Sequence, residues 1–149
     1  MAKMMIVDSS VLVAIHLGEE GAEALMAALT AEPFALPAPA LTEASLRLVR
    51  KGLSPEDCDR FFGAILVLGG DVAPFTQEMA SAATVAYARF GKGTGHKADL
   101  NLGDALVYGA ARTLGLPLFF KGNDFRHTDL TLHPASVDGN GGRIGSVDS

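Results

Sequence analysis

The chain has 149 residues, enough for one domain that buries its own core without disulfide or metal staples. At 48% hydrophobic and 19% charged it is too apolar for disorder, and its formal net charge of −5 opposes bulk attraction to a polyanion, so a nucleic-acid partner would need a local basic patch or a metal. The single cysteine, Cys58, excludes an intrachain disulfide and fits a reducing compartment, with the cytoplasm expected, and the longest uncharged apolar run, residues 61–70, is half of the roughly 20 residues that cross a bilayer, so no membrane partner is expected.

Met4, Met5, Ile6 and Val7 form a short apolar run closed by Asp8, Ser9 and Ser10, which predicts a buried strand followed by a helix. In residues 20–31 the spacing of Ala24, Leu25, Ala28 and Leu29 predicts an amphipathic helix that stops before Pro33. A second short strand is expected at residues 34–36. Beyond Pro39 a stripe of Leu41, Ala44, Leu48 and Val49, with Glu43, Arg47 and Arg50 on another face, predicts a helix that ends at Gly52. Ser54, Pro55, Glu56 and Asp57 read as a serine cap, a first-turn proline and two first-turn acids, opening a helix to about Leu68. A brief strand at residues 71–73 and an alanine-rich helix at 76–89 follow. Residues 90–99 carry three glycines and three basic residues and predict a mobile loop. The segment LNLGDALVYGAA then opens a helix to Leu114, stopped by Gly115 and Pro117, and residues 118–120 form a last strand leading into Lys121, Gly122, Asn123 and Asp124.

Helices separating short, fully apolar strands indicate a parallel α/β sheet covered on both faces. One domain over residues 1–138 is expected, with a disordered tail at 139–149 where apolar residues almost vanish.

Four acids stand out. Asp8 directly follows a buried strand, and the crevice beyond the carboxyl ends of parallel strands is where such sheets bind ligands. Capping the next helix would also place an acid there, but Ser9 and Ser10 could cap equally well. Asp124 repeats the pattern after the last strand, in a Gly-Asn-Asp context that is ordinary turn chemistry. Asp104 stands three residues after Asn101, a capping-box arrangement, yet shares its helix face with the apolar or aromatic Val107, Tyr108 and Ala111. A carboxylate on an inward face is costly unless something balances it. Glu43 lies one turn before Arg47, where a surface ion pair is the ordinary explanation. If the four converge, their repulsion calls for a divalent cation, and an oxygen-only donor set suits Mg²⁺ or Mn²⁺ rather than zinc. Such a site lowers the pKa of bound water and stabilises charge on a phosphodiester, which points to hydrolysis of a nucleic-acid backbone. Basic side chains cluster near these acids in Arg47, Arg50 and Lys51, in Arg89, Lys92, His96 and Lys97, and in Lys121, Arg126 and His127.

The blocks MIVDSSVLVA, PALTEASLRLV, LNLGDALVYGAA and FKGNDFRHTDL, in that order, resemble the PIN-domain ribonucleases, most of all the VapC-type toxins of bacterial toxin–antitoxin pairs. The resemblance implies a three-layer α/β/α sandwich with a short parallel sheet, a homodimer, Mg²⁺- or Mn²⁺-dependent endonuclease action on RNA, and inhibition by a small cognate antitoxin. Carried over by position, it implies Asp8 and Asp104 as principal metal ligands, Glu43 and Asp124 completing the acidic site, and Ser10 holding water or phosphate. Asn123 stands where many relatives have a second acid, and Asp129 matches a recurring family position. Two other readings compete: a non-catalytic dimeric binding module whose acids only cap helices and pair with arginines, and a phospho-acceptor signalling domain suggested by Asp8 and Lys121. The latter lacks the paired acids after the first strand and the acceptor aspartate after a central one.

Overall fold

A computed structural model describes residues 4–144. Four strands, β1 (Met5–Val7), β2 (Phe34–Pro37), β3 (Gly70–Ala73) and β4 (Leu118–Phe119), make one parallel sheet in the order β3-β2-β1-β4. Six helices accompany it: α1 (Ser9–Leu17), α2 (Ala22–Ala31), α3 (Ala38–Arg50), α4 (Pro55–Leu66), α5 (Gln77–Phe90) and α6 (Leu102–Leu114). A turn of 3₁₀ helix, Asp124–His127, follows β4.

The strand period divides the core in two. Met5 and Val7 of β1 pack with α1, α2, α4 and the middle of α3, whereas Ile6 packs with α5, α6 and Phe125. Alternate side chains leave opposite faces of the sheet, so a three-residue strand serves both helical layers and the expected α/β/α sandwich forms. No helix of the described residues is long and apolar enough to cross a membrane.

Local signals set most element ends. Ser54 and Asp57 form a reciprocal capping box at the start of α4, and Gly115, in the left-handed region at φ 66°, terminates α6. Several boundaries differ by a residue or two from the sequence reading, and three of the shifts have a visible cause. Helix α2 starts at Ala22 rather than Glu20, because Gly21 is left-handed and the Ala22 N–H closes a turn onto the Glu19 carbonyl. Helix α3 starts at Ala38 and takes Pro39 into its first turn, where the missing N–H costs nothing. Strand β4 ends at Phe119, because the Phe120 N–H turns to the buried Ser136 hydroxyl.

Sequence periodicity gave no element for the segment after the 3₁₀ turn, yet it runs along the outer edge of β4, with bridges from Leu118 to Leu132 and from Lys121 to Val137. It covers an edge that would otherwise present unpaired backbone groups. Of the residues expected as a tail, 139–144 are tied back: the Ile144 N–H bonds the Ser136 carbonyl, and Ile144 packs on the α6 side of the core. Residues 145–149 lie outside the described residues. The expected loop at 90–99 is closed at its base by paired backbone hydrogen bonds between Phe90, Lys92 and Leu100.

Candidate active site

The strand order sets the place of the site. From β1 the chain builds outward through β2 and β3, then returns to add β4 on the other side of β1. The connections therefore diverge at the carboxyl ends of β1 and β4, the switch point at which open α/β sheets leave a crevice. A cavity of about 370 Å³ opens there, and Asp8, Glu43, Asp104 and Asp124 all line it, with Ser10.

Asp8 leaves β1 as the N-cap of α1. Its Oδ2 accepts the Ser10 N–H at 3.0 Å, so the capping role is real, but only half of the carboxylate performs it. The other oxygen, Oδ1, is buried and has no hydrogen-bond partner among the described residues. Burial pushes the Asp8 pKa up to about 6, with the Glu43 charge adding to the rise and hydrogen bonds from Ser10 opposing it.

Asp104 likewise fulfils its capping role. Its Oδ2 accepts the Asn101 N–H at 3.1 Å while the Asn101 side chain accepts the Asp104 N–H at 2.8 Å. It does so at 7% exposure, and burial pushes its pKa to about 8, with the charges of Asp8, Asp124 and Glu43 adding to the rise. Asp104 is thus within electrostatic reach of the three acids with which it lines the cavity.

Glu43 does not make the surface pair with Arg47: no ion pair joins them among the described residues, and Glu43 instead accepts a hydrogen bond from the Ser9 hydroxyl. Its other oxygen lies against the first turn of α6, where a Cβ on Gly103 would stand 1.8 Å from Oε2. Gly103 is thus the residue that lets Glu43 reach the mouth of α6. Asp124 opens the 3₁₀ turn at the exposed rim of the cavity.

Ser10 accepts the Lys121 N–H through its Oγ at 2.9 Å, tying the start of α1 to the end of β4. Asn123 does not line the cavity; it is exposed, and its side-chain oxygen accepts from Arg126 at 3.4 Å. Asp129 is also outside the cavity, held by Tyr108, Arg89 and Arg112. Sequence reasoning did not single out Glu19 and Gly103, named Ser9 only as an alternative cap and Arg47 as a partner for Glu43 and a member of a basic cluster, and weighed Lys121 as a basic-cluster or signalling-domain residue. Gly103 had a readable signal, a glycine inside a helix pattern one residue before the acid.

A model of the PIN domain matches residues 5–130. The chain belongs to the PIN-domain family. Among curated relatives, Ribonuclease VapC42 of Mycobacterium tuberculosis is 41% identical over 128 residues, covering 85% of this chain and 96% of the relative. Among solved structures, the crystal structure of Mycobacterium tuberculosis VapC20, titled a sarcin-ricin loop cleaving toxin, superposes with a TM-score of 0.68 at 15% identity, over 85% of this PIN domain and 96% of that chain. A toxin–antitoxin complex from Klebsiella pneumoniae gives 0.65 at 17% identity, over 87% and 97%. At such identities these structures speak for the fold, and they agree that this PIN domain is a sandwich of their kind.

The donor set suits a hard dication: all the candidate ligands are carboxylate oxygens, and the buried, unpartnered Asp8 Oδ1 faces a cost that a cation would offset. Among the described residues no three acidic, histidine or cysteine side chains are already drawn together tightly enough to enclose an ion. That is compatible with Mg²⁺, which keeps several waters and is commonly bound through one or two carboxylates plus substrate phosphate.

Proposed function

We propose that this protein is a divalent-metal-dependent endoribonuclease acting as the toxin of a toxin–antitoxin pair. One observation carries the reading: Asp8 and Asp104, both buried and both with raised pKa, share one cavity with Glu43 and Asp124 at the switch point of a PIN fold. Similarity to relatives named as VapC ribonucleases over most of both chains supplies the substrate class.

Asp8 and Asp104 are the principal ligands of Mg²⁺ or Mn²⁺, and Glu43 and Asp124 complete the acidic site. A bound dication supplies positive charge to the scissile phosphodiester and acidifies water for in-line attack. The chain's own part is positioning. The Asn101–Asp104 box fixes Asp104 on α6, the Ser10 N–H fixes one oxygen of Asp8, and Ser9 fixes Glu43. Burial keeps bulk water from screening the two inner carboxylates. Ser10 and Asn123 are assigned to substrate positioning; for Asn123 this requires its side chain to leave Arg126 when RNA binds. The partners are RNA, a small cognate antitoxin and a second copy of the chain, in the cytoplasm. An apolar groove between α5 and α6, flanked by the 70%-exposed Leu102, supports an interface on that side.

The deciding experiment is RNA cleavage with Mn²⁺ by the wild type and by Asp104→Asn. Cleavage by the wild type alone is expected. Equal activity in both rejects the metal site, and inactivity in both favours a binding module.

A further inference from the structure

The four acids leave an electrostatic problem that their own chemistry does not solve. A phosphodiester approaching them carries its own negative charge, and several carboxylates around one dication leave little net attraction. Lys121 stands where that problem arises. It is the second residue beyond β4, it lines the same cavity as the acids, and its side chain is only 10% exposed. It is held at both ends. Its backbone N–H bonds the Ser10 Oγ at 2.9 Å, two residues from Asp8, and its Nζ lies 3.2 Å from Oε1 of Glu19.

Resting on the nuclease reading above, we propose that Lys121 is a catalytic residue whose ammonium donates to the non-bridging oxygens of the scissile phosphodiester, with Glu19 as its positioning residue. An ammonium has three N–H donors. Among the described residues Glu19 is the one side chain that Nζ bonds, so two donors remain for a phosphate. A surface ion pair would explain the Lys121–Glu19 contact but not its place: Glu19 is 35% exposed, while its partner is withdrawn into a cavity of acids. Arg47 also lines the cavity but is exposed, and so is less able to act in a dry environment. In the reaction water adds across the ester bond. Its oxygen bonds to phosphorus, the ester bond breaks with its electron pair on the departing oxygen, and that oxygen gains the proton that water loses. Lys121 keeps its proton throughout and stabilises the charge that accumulates on the phosphoryl oxygens, as fixed cations do in phosphoryl transfer.

The test uses the full chain and pairs RNA cleavage in Mn²⁺ with calorimetric titration of Mn²⁺ alone. Lys121→Met is expected to lower kcat/KM by about 10²-fold or more, while binding Mn²⁺ as tightly as the wild type or more tightly, because a positive charge has left the cavity. Lys121→Arg is expected to restore cleavage to within about tenfold of wild type, and Glu19→Gln to lose less than Lys121→Met. Lys121→Gln replaces the Met variant if circular dichroism shows that the latter is unfolded. Cleavage by the neutral variant within about threefold of wild type overturns the assignment. So does a parallel loss of cleavage and Mn²⁺ binding, which would make Lys121 a support of the acids alone. A wild type that binds Mn²⁺ but cleaves no RNA brings down the nuclease reading itself, and the role of Lys121 with it.

Discussion

Two regions of this PIN domain hold aspartates, one at the surface and one buried, and treat them in opposite ways. Around Asp129, the Tyr108 hydroxyl donates to Oδ1 while Arg112 and Arg89 lie 2.6 and 3.1 Å from Oδ2. Burial there pushes the Asp129 pKa up, but hydrogen bonds from Tyr108 and Arg112 and the Arg112 charge outweigh it, and the carboxylate ends below its usual range. Around Asp8 and Asp104 burial wins, and the charges that add to the rise are further carboxylates. The first cluster is complete within the chain and ties α5 and α6 to the segment beyond the 3₁₀ turn. The second carries a deficit of positive charge, and such a deficit marks a place built to receive something.

The largest expected effect separates the two clusters directly. Asp104→Asn should lower RNA cleavage by about 10³-fold while leaving the metal-free protein as stable as the wild type or more so. Asp129→Asn should do the reverse, costing about 1–3 kcal/mol on thermal or urea unfolding with cleavage within a few-fold of wild type. If both variants lose stability and neither loses cleavage, the distinction between the clusters fails.

Next comes the pH response of the metal-free fold. The folded pKa of Asp8, about 6, stands above its ordinary value of 3.8, so its protonated form is the one the fold prefers. Stability is therefore highest below pH 3.8 as far as this group is concerned, and is lost as pH rises through 6, by about 3 kcal/mol at full ionisation. Asp104 acts in the same direction. The melting temperature of the metal-free protein should fall between pH 5 and pH 8, and Mn²⁺ should raise it more at pH 8 than at pH 5. A metal-free protein that gains stability over that interval would contradict the charge deficit.

A smaller and more pointed test is Gly103→Ala. The new methyl would occupy the place of the Glu43 carboxylate, whose flexible end can move aside, so the fold should hold and even gain up to about 1 kcal/mol of helix propensity. Cleavage should nevertheless fall about tenfold, because Glu43 is pushed from the mouth of α6. Stability and activity moving together would refute the role given to that contact. The smallest effect is expected for Arg89→Ala: the pair with Asp129 is exposed on both sides, so unfolding should shift by no more than about 1 kcal/mol.

How much of this was legible beforehand follows the range of the interactions concerned. The Ser54 cap, the Gly115 stop and the apolar β1 are written within a few residues, and the structure holds each of them where the sequence places it. The boundaries that moved, at Gly21, Ala38 and Phe120, moved because of a left-handed glycine, a proline tolerated in a first turn, and a hydroxyl sixteen residues away. For the acids, sequence reasoning offered two explanations, a cap or a site. For Asp8 and Asp104 capping proved compatible with a place in the cavity, since a carboxylate has two oxygens and a cap uses one. For Glu43 the surface pair did not form, because Ser9 and Gly103 offered its carboxylate a place inside.

The amino-acid order alone therefore determined the alternation of apolar strands and capped helices, and with it a parallel sandwich carrying acids at strand ends and helix starts, because hydrophobic periodicity and capping act over one or two turns of chain. Tertiary structure decided which acids share a cavity and which are neutralised by arginines, and it set Lys121 against Glu19. Those outcomes depend on strand order and register, which bring together side chains that no local interaction connects.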